Sequence, residues 1–157
     1  MIRLFQEKDA EPLAQMIAKS LRQINQKDYE TAYIERVVES LSADALIKRA
    51  SWTHFYVVEK EATLVACGAI GPYWDKEDEA SLFTIFVAAD HQKQGLGSLI
   101  MKTLEQDSYF IKSKRIEIPS SITAVAFYQK FGYSIKKGEQ YPDKEGLFRL
   151  EKHREVI

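Results

Sequence analysis

Ser81-Leu82-Phe83-Thr84-Ile85-Phe86-Val87, then Ala88-Ala89-Asp90-His91, then Gln92-Lys93-Gln94-Gly95-Leu96-Gly97-Ser98 is the stretch on which the fold turns. Its opening run is almost continuously apolar and β-rich, the texture of a strand. A tight polar turn over 88–91 follows. Leu96, Leu99, Ile100, Thr103 and Leu104 then recur at helical spacing, so a helix begins at the glycines. A strand feeding such a helix start makes an anion cradle. The first amide N–H groups of a helix have no intrahelical acceptor, and the helix dipole favours negative charge beside them. Gly95 and Gly97 remove side chains that would hold a phosphate away from those donors. Ser98 adds a hydroxyl and Lys93 a mobile positive charge, while Gln92, Gln94 and Leu96 complete the loop. The dinucleotide fingerprint needs a third glycine directly after a first strand, and the triphosphate loop ends in Gly-Lys-Ser/Thr. Neither pattern is met. By itself the Gly-x-Gly leaves two readings open, phosphate binding and close helix–sheet packing.

Outward from this stretch, the texture predicts an α/β (α+β) chain. Toward the N-terminus come a short strand over 2–5 and a helix from Ala10 capped by Asp9, with Leu13, Met16, Ile17, Leu21 and Ile24 on one stripe. A second helix follows Tyr29, with Ile34, Val37, Val38 and Leu41 on its buried face, and Ser42 or Asp44 can cap a third short turn through Ala50. Strands over 54–59 and 63–71 are joined by the turn Lys60-Glu61-Ala62, and an acidic, aromatic connection spans 72–78. Toward the C-terminus come a strand over 115–118 ended by Pro119, a helix from Ser121 that stops at Gly132, and closing strands over 133–136 and 147–150. The order β-α-α-β-β-β-α-β-α-β-β is a mixed sheet with helices on its faces.

Composition bounds the function. The chain has 157 residues, 45% hydrophobic and 29% charged, which is one ordinary domain over 1–157 with room for a core. Net charge is 22 − 23 = −1 with the basic residues scattered, which argues against a nucleic-acid or membrane surface. The one cysteine, Cys67, excludes an internal disulfide framework and fits a reducing compartment. Its apolar run over 64–70 is short for a membrane span. The start, Met1-Ile2-Arg3-Leu4-Phe5, lacks a basic-then-apolar signal segment, so a cytoplasmic protein is the expectation. His54, His91 and His153 are far apart and no Cys–His spacing suggests zinc, so no metal is expected.

A second motif separates the two readings. Thr123-Ala124-Val125-Ala126-Phe127-Tyr128-Gln129-Lys130-Phe131-Gly132-Tyr133 lies on the next helix. With Gln92, Gly95 and Gly97 meeting Gln/Arg-x-x-Gly-x-Gly/Ala, and Ala124, Phe127, Tyr128, Gly132 and Tyr133 meeting Ala-x-x-Phe-Tyr-x-x-x-Gly-Phe/Tyr, the sequence resembles the GNAT superfamily of N-acetyltransferases. The stretch Asn25-Gln26-Lys27-Asp28-Tyr29 resembles a bacterial subgroup of largely unassigned substrate. The resemblance implies a mixed, mostly antiparallel sheet splayed between its central strands. It implies acetyl-coenzyme A as co-substrate, its pyrophosphate on the backbone amides of Gln92, Lys93, Gln94, Gly95, Leu96, Gly97 and Ser98, and its pantetheine arm beside Phe86 and Val87. Transfer would be direct to a primary amine of a small molecule or peptide, with the Val87 amide at the thioester oxygen and the Tyr128 phenol at the leaving sulfur. A homodimer through C-terminal edge strands is common in the superfamily and is not compelled here.

Each assignment has a plainer counterpart. Periodicity alone makes Tyr128 a core residue beside Ala124, Phe127 and Phe131. Gln92 could merely tie its turn together, and Lys93 could be a solvated lysine. His54 reads as a structural histidine, and Glu79 as part of an acidic turn with Glu77 and Asp78. Asp28 and Tyr29, and Tyr73 and Trp74, are the acceptor-side candidates; loop aromatics also cap cores. Ser121 stands where the superfamily often has an asparagine touching the cofactor, and can donate one hydrogen bond or simply cap a helix. A non-catalytic acyl-coenzyme A sensor or interaction module is the rival reading.

Overall fold

Strand β1 (Ile2–Leu4) lies antiparallel to β2 (His54–Lys60), with Ile2 opposite Val58 and Leu4 opposite Tyr56, in a computed structural model that describes residues 1–156. Among these residues are seven strands and six helices: α1 (Ala10–Ile24), α2 (Thr31–Ser40), α3 (Ala43–Ala50), β3 (Thr63–Pro72), β4 (Glu79–Val87), α4 (Leu96–Leu104), α5 (Ser108–Ile111), β5 (Arg115–Ser120), α6 (Val125–Gln129), β6 (Ser134–Ile135) and β7 (Phe148–His153) complete the order. The strands form one sheet in the order β1-β2-β3-β4-β5-β7-β6. This is the mixed, mostly antiparallel sheet that the resemblance implies. The chain packs as two compact units, 1–69 with 84–103, and 70–83 with 104 onward, and β3 and β4 each contribute to both.

In the first unit, α1 buries Leu13, Ile17 and Leu21 at a four-residue interval and packs on α2 and α3. Ser42 caps α3 by accepting the Ala45 N–H at 3.3 Å. Asp9 does not cap α1. A 3-10 turn over Glu7–Asp9 precedes the helix with Gln6 as its cap, and the Asp9 carboxylate accepts the Gln6 N–H at 2.8 Å. Arg3 grips the same carboxylate through two nitrogens, at 2.8 and 3.0 Å, and reaches Glu59 at 2.8 Å, tying β1 to the helix entry and to β2. That grip holds the Asp9 carboxyl below the usual range. Between β2 and β3, Glu61 and Ala62 both take left-handed torsions (φ 51° and 63°), as a two-residue hairpin demands.

In the second unit, β4 starts parallel to β5 through Glu79↔Arg115, Ala80↔Ile116 and Ser81↔Glu117, and β5 pairs antiparallel with β7 from Arg115↔His153 to Ser120↔Phe148. Pro119 does not end β5. Its register with β4 has finished at Glu117, and a proline is accepted where one edge of a strand carries no ladder. The helix expected from Ser121 to Gly132 is instead a 3-10 turn over Ile122–Ala124 followed by the short α6. Gly132 does take the left-handed torsion (φ 91°) and closes a Schellman motif: Tyr133 N–H donates to Tyr128 at 3.3 Å and Gly132 N–H to Gln129 at 3.0 Å. Helix α5, capped by Asp107 with Phe110 buried beneath it, was not anticipated by the sequence pattern.

Candidate functional site

β4 delivers its end to the loop through an irregular pleat. Thr84 has φ 54°, a left-handed torsion in mid-strand of the kind a bulge produces. Its side-chain oxygen accepts from Arg49 at 2.9 Å and its carbonyl accepts from the Cys67 thiol at 3.1 Å. Burial pushes that thiol up to about 12, so its thiolate is negligible at neutral pH. Cys67 is no nucleophile. The Phe86 amide is also turned to Cys67, which directs Phe86's backbone groups toward β3 rather than to the other edge. Of the two strand residues expected to meet a cofactor, it is Val87 whose carbonyl turns to that other edge, because the Ala88 N–H of the same peptide unit donates to Val65 of β3 at 2.8 Å.

Past Val87, a 3-10 turn over Ala89–His91 carries Asp90, which pairs with Lys19 of α1 at 3.0 Å. Gln92 is extended, Lys93 is left-handed (φ 63°) and Gly95 is left-handed (φ 79°). These reversals bring the chain into α4, whose first main-chain bond runs from Leu99 N–H to Gly95 at 3.0 Å. The amides of Leu96, Gly97 and Ser98 therefore precede the helical ladder. A Cβ on Gly95 would meet nothing within 4 Å, so torsion, not crowding within the chain, requires the glycine, and open space lies beside the helix start. Gly97 has no left-handed torsion, and a glycine within a helix costs about 1 kcal/mol relative to alanine, so its use there calls for another reason. Gln92 donates to the carbonyls of Val87 at 2.9 Å and Ala88 at 3.4 Å, tying the loop to the strand that feeds it. Lys60, which sequence reading passed over, reaches the Gln94 side chain at 3.4 Å.

The second unit holds Tyr128 on α6, buried to 6% exposure. Its ring meets Phe127 edge-on at 5.4 Å and Tyr133 at 6.5 Å, and the Schellman bonds fix its backbone. The Tyr133 hydroxyl is buried with no hydrogen-bond partner among the described residues, and burial drives its pKa upward. Ser121 sits at the start of the turn before α6, but its side chain makes no cap bond.

The acceptor-side candidates fall in both units. In the first, Tyr29 stacks on Tyr33 at 4.9 Å, with Arg36 over the Tyr33 ring, and Asp28 lies exposed beside them. In the second, Tyr73 lies under two cations, Arg115 at 4.7 Å and Lys136 at 5.8 Å, and so covers a charged cluster. Trp74, 81% exposed and left-handed (φ 54°), meets Tyr73 edge-on. Glu79 is not part of a free acidic turn: it opens β4 and is engaged by Arg115 at 2.8 Å. His54 opens β2, half-buried. Among the described residues no group of three or more His, Cys, Asp or Glu could hold a metal ion, and no helix is long and apolar enough to cross a membrane.

Comparison with known proteins completes the picture. The model of the acetyltransferase (GNAT) family matches residues 18–133. Among solved structures, the chain is similar to a PaiA N-acetyltransferase from Thermoplasma acidophilum in complex with coenzyme A, with a TM-score of 0.83, 16% identity and 98% of each chain covered. It is similar to a ribosomal-protein-alanine N-acetyltransferase from Brucella melitensis at a TM-score of 0.66 and 18% identity, covering 98% of this chain and 99% of that one. It also matches N-acetylglutamate synthase from Neisseria gonorrhoeae, complexed with coenzyme A and N-acetyl-glutamate, at a TM-score of 0.65 and 15% identity, covering 98% of this chain and 34% of that one.

Proposed function

The chain belongs to the acetyltransferase (GNAT) family, and on that premise we propose that it transfers the acetyl group of acetyl-coenzyme A directly to a primary amine of a small molecule or peptide. The observation that carries the proposal is the turn from β4 into α4. Two left-handed residues there, Lys93 and Gly95, leave the amides of Leu96, Gly97 and Ser98 ahead of the helical ladder beside open space. These donors suit a pyrophosphate, with the Ser98 hydroxyl and the exposed Lys93 as further contacts. The two solved relatives named above with coenzyme A support that choice of ligand.

Acetyl-coenzyme A supplies an activated acyl group whose carbonyl oxygen gains negative charge, and whose sulfur departs, as an amine attacks. The Val87 amide is the donor we assign to that oxygen. The Tyr128 phenol is the proton donor we assign to the sulfur, a role typically worth about 10²–10⁴-fold. An alkyl amine with a pKa near about 10.4 must lose a proton before it attacks. Because Arg115 engages Glu79, that proton is assigned to water rather than to this carboxylate. The inert Cys67 thiol favours direct transfer without an acyl-enzyme, and one buried cysteine suits a reducing cytoplasm.

Calorimetry with coenzyme A, beside thiol release from acetyl-coenzyme A against a panel of amines and peptides, tests the proposal. Saturable binding with transfer to at least one amine is the expected result. Binding with no transfer across the panel would favour the sensor reading, and no binding would remove the loop assignment.

A further inference from the structure

Ser20 interrupts the apolar stripe of α1. It follows Ile17 by three residues and is as buried as Ile17 and Leu21, at 3% exposure. A buried hydroxyl needs a partner, and this one finds it far away in the chain: Ser20 Oγ donates to the Val87 carbonyl at 3.1 Å, with the Met16 sulfur, at 3.7 Å, the weaker acceptor. The same carbonyl receives Gln92 Nε2 at 2.9 Å. The opposite edge of that peptide plane, the Ala88 N–H, donates to Val65 of β3 at 2.8 Å. One peptide unit is thus pinned from α1, from β3 and from the loop. Both lone pairs of the Val87 carbonyl are used, so it has none left for another donor. The peptide is planar, so the Val87 carbonyl points away from β3, and in an extended residue the N–H follows its own carbonyl. At this residue the outer strand edge keeps a donor and has lost its acceptor.

We propose that Ser20 is a positioning residue for acyl transfer: sharing the Val87 carbonyl with Gln92, it turns the end of β4 into a donor-only edge. The Val87 N–H then keeps one direction, suited to a carbonyl oxygen and unsuited to a competing N–H group. The inference rests on the acetyl-coenzyme A reading above. Lys19, beside Ser20, braces the following turn through Asp90, so two successive residues of α1 hold the connector.

Isotope-edited infrared spectroscopy of bound acetyl-coenzyme A labelled at the thioester carbon tests this without a known acceptor. A hydrogen bond to that oxygen lowers the carbonyl stretching frequency. The wild type is expected to show the lowered band, Ser20→Ala to lose at least half of the shift, and Ser20→Thr, which keeps the hydroxyl, to retain it. Coenzyme A affinity by calorimetry should stay within about threefold in the Ser20 variants, because their change leaves the α4 amides in place. Should Ser20→Ala fail to fold, the exposed Gln92→Ala provides the second measurement and should also lose part of the shift. An undiminished shift in whichever of the two folds overturns the role of the pinned carbonyl, as would a wild type that binds without any shift. A wild type that binds no coenzyme A would fail the underlying reading instead.

Discussion

Two polar regions of this chain are built on opposite plans. The turn from β4 into α4 presents main-chain donors and few fixed side chains. The face of β5 and β7 that carries Arg115, Glu117 and Glu151 is a lattice of side-chain ion pairs. On β5, Ile116 and Ile118 are buried on one face, while Arg115 and Glu117 alternate to the other. Arg115 reaches Glu79, Glu117 and Glu151 at 2.8, 3.1 and 2.8 Å, and Glu117 also takes Lys136 at 3.0 Å and Arg149 at 3.7 Å. The lattice satisfies itself. The turn leaves amides to be satisfied by something else, and that difference separates a structural polar cluster from a binding one.

The sharpest break of the comparison is Gly97→Glu. A carboxylate on the first turn of α4 places bulk and negative charge where a pyrophosphate would sit. Coenzyme A binding should fall more than about 100-fold by calorimetry while the circular dichroism spectrum is kept. Intact binding would mean that these amides serve only the fold.

The reciprocal substitution is Glu117→Ala. At 3% exposure this carboxylate is the centre of the lattice, and its removal leaves Arg115, Lys136 and Arg149 short of an anion. Removing one partner of a buried pair costs roughly 3–5 kcal/mol, and Lys136 and Arg149, 27% and 33% exposed, can turn partly to water. We expect the low end, about 3 kcal/mol by urea unfolding, with coenzyme A affinity unmoved in the folded protein. A loss of affinity without a loss of stability would reverse the two roles.

Tyr128→Phe comes next. Turnover with an accepted amine should fall at least about tenfold, about 1.4 kcal/mol, with coenzyme A affinity within a few-fold. Unchanged turnover would return Tyr128 to its place as a core residue on the stripe with Phe127 and Phe131.

Main-chain chemistry was the more legible of the two plans, because it is written in local sequence. A strand, a turn and Gly95 announce a helix start, and Gly132 announces a helix end; both glycines take the torsions that only glycine accepts easily. The extent of α6 was not legible, since periodicity over 121–132 does not distinguish a continuous helix from two short turns closed by a Schellman motif. Nor was the role of Asp9, whose partner Arg3 takes it from a cap into an ion pair. The lattice itself escaped notice because Glu79, Arg115 and Glu151 meet only through strand register. Ser20 left one trace, a polar residue on an apolar stripe, but its acceptor 67 residues away could not be read.

The smallest effect lies at the edge of the Tyr128 cluster. Tyr133 is 2% exposed, its ring lies under Lys152 Nζ at 5.4 Å, and its hydroxyl has no hydrogen-bond partner among the described residues. An unsatisfied buried hydroxyl costs roughly 1–3 kcal/mol, so Tyr133→Phe, which keeps the ring and removes only the oxygen, should stabilise the protein by about 1 kcal/mol. In a chain of this size that is a rise in Tm of about 2–4 °C by calorimetry. Turnover should be unchanged, because the proton at the sulfur is assigned to Tyr128 and the Tyr133 phenol, its pKa raised by burial, is held neutral. A fall in both stability and turnover would show instead that the Tyr133 hydroxyl has a partner in the working enzyme. The proton donor would then be the pair of tyrosines rather than Tyr128 alone.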